Sequence, residues 1–176
     1  MSKNSKTVIG VIILIIAASL IMIATRLYFN KTVSQAISLK ENFSCMVDIT
    51  YGDLSAKASF TKSGQTGFNI AFTAPETLNG VEIICSGNDI TIKYMGLTMD
   101  IDKNLLPSKA IINCISQVLN FAQLPEELNI VSSTDNTITA KGVAPEGEFE
   151  ITVEKSTGLP VKITVPDIGF SAVFIQ

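Results

Sequence analysis

Between residues 89 and 102 every second position is apolar: Ile90, Ile92 and Tyr94, then Leu97, Met99 and Ile101, with Thr91, Lys93, Thr98 and Asp100 between them. A period of two describes a strand with one face buried and the other in water. The same alternation predicts strands near 43–51, 54–62, 66–74, 80–86, 89–95 and 96–102, and again near 128–133, 136–143, 147–155, 159–166 and 168–175. Most of the links between them are turn-forming stretches such as YGD, KSGQTG, PETLNG and SGND. Two segments break the period. KTVSQAISLKEN (31–42) predicts a short helix with Val33, Ala36 and Ile37 on one side. PSKAIINCISQVLNFAQ (107–123) places Ile111, Ile112, Ile115, Val118, Leu119 and Ala122 at helical spacing, with Asn113, Ser116, Gln117 and Asn120 opposite, and LPEEL ends it. The order helix, meander, helix, meander is an α+β, mostly β chain.

Size decides how those elements pack. About eleven strands at ~4.8 Å spacing make a sheet roughly 50 Å wide and 23 Å tall, on the order of 1,200 Å² of apolar face. A helix over 107–123 covers about 250 Å² and the shorter one about 150 Å². Laid flat, the sheet would expose far more apolar surface than the ~300–600 Å² patches of soluble monomers. Sheets of this width curl, so a half-barrel wrapped around its helices is expected. Phe68, Ile70, Phe72, Ile90, Ile92, Tyr94, Leu97, Met99 and Ile101 would line the concave wall, with Ile111, Ile115 and Val118 as a lid. Two readings stand for that interior: a filled core, or a hollow that takes an acyl chain.

An unbroken apolar run precedes the alternating region. Between Lys6 and Arg26 lie 19 uncharged residues, TVIGVIILIIAASLIMIAT. As a helix they rise about 28 Å, close to the ~30 Å of a bilayer's hydrocarbon core. The apolar core of a cleaved signal peptide is shorter and ends at a small-x-small site, whereas AAS at 17–19 is followed by LIMIA. An uncleaved signal anchor is therefore expected, dividing the chain into a cytoplasmic head (1–6), a transmembrane anchor (7–26), a linker with a short helix (27–42) and an extracytoplasmic domain (43–176) in the cell membrane. Lys3 and Lys6 on one flank nearly balance Arg26 and Lys31 on the other, so the orientation rests on the small size of the head.

Charge and composition narrow the chemistry. Beyond Arg26 stand 10 basic and all 16 acidic residues, a formal charge of −6. Such a domain is repelled by nucleic acid and by anionic headgroups, so no nucleic-acid partner is expected. The chain has no histidine, which removes Ser-His-Asp and Cys-His catalysis and the commonest metal ligand. No cofactor, metal or catalytic residue is expected, and the protein reads as no enzyme. SFTK (59–62) matches an S-x-x-K signature only formally, because Ser59 alternates outward on a strand. Asp100 and Asp102, and Glu146, Glu148, Glu150 and Glu154, occupy solvent faces of strands. Cys45, Cys85 and Cys114 all fall in phase with apolar neighbours and read as small core hydrophobes, one structural disulfide being the alternative.

The element order resembles the LolA-like superfamily of bacterial extracytoplasmic lipoprotein carriers. GFNIAFTAPETLNGVEIICSGNDITIKY is similar to that family's strand, Pro-containing turn, strand, Gly turn and Tyr-bearing strand; TGLPVKITVPDIGFSAVF is similar to its closing hairpin, with Gly158-Leu159-Pro160 before the penultimate strand and Phe174 near the end of the last. The resemblance covers about residues 31–176 and implies a half-barrel that binds a lipid or lipoprotein acyl chain. Carriers of the founding type are soluble, and their functional arginine has no counterpart here, because the single arginine, Arg26, lies at the membrane border. An envelope interaction or sensor domain with a filled core and a membrane-protein partner is the second reading, as LolA-like folds also occur in stress-response regulators.

Overall fold

A computed structural model describes residues 16–25, 37–102, 104, 110–124, 128–145 and 147–176. Its eleven strands are β1 (Phe43–Tyr51), β2 (Leu54–Ser63), β3 (Gly67–Ala74), β4 (Glu82–Ser86), β5 (Asp89–Tyr94), β6 (Leu97–Asp102), β7 (Asn129–Ser133), β8 (Thr137–Ala144), β9 (Gly147–Glu154), β10 (Pro160–Val165) and β11 (Phe170–Ile175). One helix, Ile111–Phe121, lies between β6 and β7, and a 3-10 turn, Pro166–Ile168, between the last two strands. Every strand falls within two residues of its sequence-based bounds.

All eleven strands join one antiparallel sheet in the order β6-β5-β4-β3-β2-β1-β11-β10-β9-β8-β7. The first and last strands pair at its centre, from Met46 opposite Ile175 to Tyr51 opposite Phe170. The two outermost strands, β6 and β7, do not pair with each other, so the sheet is curled but unclosed. The chain from β6 to β7 must therefore pass from one edge of the sheet to the other. It does so across the concave side, carrying the helix.

Alternation fixes which residues face inward. In β2, Ala56, Ala58 and Phe60 are buried and Ser55, Lys57 and Ser59 exposed; in β9, Phe149, Ile151 and Val153 are buried between Glu148, Glu150, Thr152 and Glu154. The phenylalanines then fill the middle of the curl. Phe60 stacks on Phe68 with ring centroids 6.0 Å apart and meets Phe174 edge-on at 5.7 Å, while Phe43 leans on Phe60 at 5.6 Å. Under the helix, Phe121 meets Phe149 at 6.4 Å. Such pairs add about 0.5–1.5 kcal/mol each to the gain from burial.

The short helix expected over 31–42 does not extend to its predicted end. Residues 31–36 lie outside the described residues, and Ile37–Lys40 have no regular structure. The reason is tertiary: the Lys40 N–H donates to the Gly158 carbonyl at 2.9 Å, tying this segment to the β9–β10 hairpin, while Ile37 is buried in the core. The helix expected over 107–123 is observed from Ile111, because Ala110 has extended backbone, with ψ at 139°; 105–109 lie outside the described residues. So does half of the span expected over 7–26, residues 7–15 and 26, while 16–25 are helical and exposed. Among the described residues no helix is long and apolar enough to cross a membrane.

The Lys40–Gly158 tie gives a test. Gly158 has φ of +70°, and a Cβ there would collide with the Ser38 carbonyl. Gly87 has φ of +62° but open space around it. Gly158→Ala should cost more than about 2 kcal/mol, strain plus clash, and Gly87→Ala about 1 kcal/mol, strain alone. Urea unfolding followed by circular dichroism reads the difference; equal costs would show that residues 37–40 do not dock on the hairpin.

Candidate functional site

The covering helix is amphipathic and lies off-centre. Ile112, Ile115, Val118 and Leu119 are buried, and its principal strand contacts are with β8, β10 and β11. At roughly 16 Å by 10 Å it shields about 160 Å². The β4–β6 end of the concave face is left to the residues that begin the helix.

Register shows how cover thins along that face. Phe60 pairs with Ile70, Ile70 with Ile83, Ile83 with Ile92 and Ile92 with Met99, one apolar row across five strands. Phe60 and Ile70 are fully buried, Ile83 and Ile92 half-buried, and Met99 is 54% exposed. In the next row Phe68, Cys85 and Ile90 are buried and Ile101 half-buried. Tyr94 is half-buried and its partner Leu97 is 74% exposed. Apolar side chains continue to the edge of the sheet after the cover has ended.

Where cover thins there is a hollow of about 270 Å³. Its walls are Phe72, Ile83, Ile90 and Ile92 from β3–β5, Leu54 from β2, Leu78 and Val81 from the turn before β4, and Ala110, Ile111 and Ile112 where the helix begins. The lining is apolar almost throughout. The volume is just below the ~300–1,000 Å³ of small-molecule sites, and the exposed row beside it lengthens the surface available to a chain-like ligand.

The twelve residues expected to line a cavity thus divide into three groups. Phe72, Ile90, Ile92 and Ile111 line the hollow. Phe68, Ile70, Ile115 and Val118 belong to the packed core. Tyr94, Leu97, Met99 and Ile101 extend the wall to the β6 edge. Sequence reading missed Ile83 and Val81 as wall residues, although both are in phase with Cys85. Leu78 gives no such signal, because it sits in the turn between Pro75 and Gly80.

No disulfide joins the cysteines. Burial pushes the Cys45 thiol up to about 11, which suppresses the thiolate that reactivity needs. On the convex face Lys141 pairs with Glu150 at 2.8 Å, Lys93 with Glu82 at 3.7 Å, and Thr157 donates to Glu154 at 2.6 Å. Ser59 is exposed there. Among the described residues no group of three or more metal-ligating side chains occurs. One inward charge went unread in the sequence: Lys62, in phase with Ala58 and Phe60, is buried at the end of β2. Its ammonium donates to the carbonyls of Gly64 and of Gln65, the latter at 3.2 Å. Burial lowers its pKa from the ordinary 10.5, and the charge of Glu41 opposes that shift.

The solved structures similar to this chain bear on the fold. An uncharacterized conserved protein from Thermus thermophilus is 11% identical, with a TM-score of 0.52 over 89% of this chain and 85% of that one. A LolA superfamily protein from Nitrosomonas europaea is 16% identical, with a TM-score of 0.39 over 75% of this chain and 67% of that one. A chain of the Pseudomonas aeruginosa MucA/MucB complex is 12% identical, with a TM-score of 0.45 over 84% of this chain and 54% of that one. At such identities the likeness is one of fold, carried by the Thermus structure. No family model and no curated sequence matches the chain.

Lys62 generates a pH prediction. With its folded pKa below 10.5, the folded state holds fewer protons than the unfolded state just under that value, so this group's contribution to stability rises with pH there. Lys62→Met keeps the stem and removes the ammonium. Wild type should gain stability relative to Lys62→Met as the pH rises toward 10.5 in urea unfolding; a flat difference would mean that the ammonium is not buried.

Proposed function

We propose that the protein is a membrane-tethered, extracytoplasmic, non-catalytic binding domain that holds one acyl chain of a lipid or lipoprotein at the β4–β6 end of its concave face. The observation that carries this reading is the unbroken apolar row from Phe60 to Met99, whose inner members are packed and whose outer members border the hollow. An acyl chain suits a long surface without polar anchors. A compact polar ligand would need hydrogen-bonding groups that the lining does not offer. Seating the chain would remove Ile92, Leu97 and Met99 from water, at about 25 cal/mol for each Å² buried. Tethering is supported by the 19 uncharged residues between Lys6 and Arg26. It keeps an acidic domain at a membrane whose headgroups repel it, which favours contact through a single hydrocarbon chain over lying flat on the surface.

One substitution separates this reading from a solid interior, and a second serves as its control. Ile92 is half-buried at the wall, so Ile92→Glu should leave the circular dichroism unchanged and abolish lipid uptake. Ile115 is fully buried, and Ile115→Glu should unfold the domain, because an unpaired buried carboxylate costs several kcal/mol. Native mass spectrometry of the full chain extracted from cells should find a co-purifying mass of lipid size that Ile92→Glu loses. A clean apo mass with no uptake of an apolar dye would overturn the proposal.

A further inference from the structure

The two edges of the sheet are unlike. β7 is short, and its register slips between Ile130 and Ser132, leaving a bulge at Val131. Bulges and short strands are how edges avoid pairing with other chains. β6 pairs with β5 through all six residues, from Leu97 opposite Tyr94 to Asp102 opposite Asp89, without a register shift. It contains no proline or lysine. Among the described residues no strand pairs with its outer side. What β6 does carry is sorted by face: exposed Leu97 and Met99 on the concave side, Asp100 and Asp102 on the convex side. Asp89 lies directly opposite Asp102, a like-charge pair that costs stability.

We infer that β6 is a docking edge for an extended protein segment that alternates apolar residues with lysine or arginine and adds to the sheet as a further strand. The added backbone would satisfy the outward amides and carbonyls of Leu97–Asp102. Its apolar residues continue the Ile92–Met99 row, and its basic residues meet Asp100 and Asp102, next to which Asp89 lies on β5. Strand addition draws affinity from main-chain hydrogen bonds and selectivity from alternate side chains. The aspartates act as a filter by sign: they repel acidic segments and recruit basic ones, as does the −6 formal charge beyond Arg26. They also exclude a second copy of this chain. Antiparallel pairing of two β6 strands keeps like faces together and brings Asp100 and Asp102 of one copy beside those of the other. The inference is independent of lipid in the hollow, since it rests on the edge backbone and the convex charges.

The test uses the full chain in an uncharged detergent and two synthetic peptides of about nine residues, a common strand length, one alternating Lys with Val and one Glu with Val. Hydrogen exchange should show new protection of 97–102 with the Lys peptide. The Glu peptide should bind at least tenfold more weakly. Asp100→Lys combined with Asp102→Lys should weaken the Lys peptide at least tenfold, with unchanged circular dichroism because both side chains are exposed. Equal affinity for the two peptides, or protection confined to β7, would overturn the inference. So would protection of 97–102 that grows with protein concentration alone, indicating self-pairing, or that phosphatidylcholine vesicles produce without peptide.

Discussion

A sheet that is apolar on one face only must hide that face, and among the described residues the one helix laid on it is Ile111–Phe121. Eleven strands present on the order of 1,200 Å², of which the helix shields about 160 Å². Most of the remainder is hidden as the sheet curls, burying inward side chains of both meanders in one core. Pairing of the first strand with the last makes this possible, because it joins the two meanders into one surface that can bend across its middle.

Curvature does not distribute cover evenly. The phenylalanines of β1, β2, β3 and β11 pack against one another at the centre, and the helix favours β8, β10 and β11. At the β4–β6 end the concave face is covered only by the start of the helix, Ile111 and Ile112, and Met99 and Leu97 stay exposed beyond it. The hollow and the exposed apolar row both fall there. The hollow of about 270 Å³ is open at the surface and apolar almost throughout, which suits the apolar occupant proposed for it.

The strands were legible because alternation is a strong signal and residues such as Phe149, Ile151 and Val153 obey it without exception. The two departures both arose from contacts distant in sequence. Residues 37–40 look helical by local pattern, but the backbone of Lys40 is engaged by Gly158. Of the expected wall residues, Phe68, Ile70, Ile115 and Val118 have the same periodicity as Ile90 and Ile92 yet lie in packed core. Periodicity tells which side of an element is buried. It does not tell where along a sheet the covering helix will lie, and that placement decides which inward residues are core and which are wall. Lys62 could have been found from its phase with Phe60, whereas the difference between the β6 and β7 edges depends on a bulge that only register reveals.

Photo-labelling of the full chain with a diazirine-bearing fatty acid tests the central claim most directly. Saturable labelling should fall on the β4–β6 wall, on residues such as Ile83, Ile92 and Met99, and be competed by unlabelled fatty acid. Labelling that is unsaturable, or spread over the convex face and the β8–β10 half, would contradict an open apolar hollow at that end of the sheet.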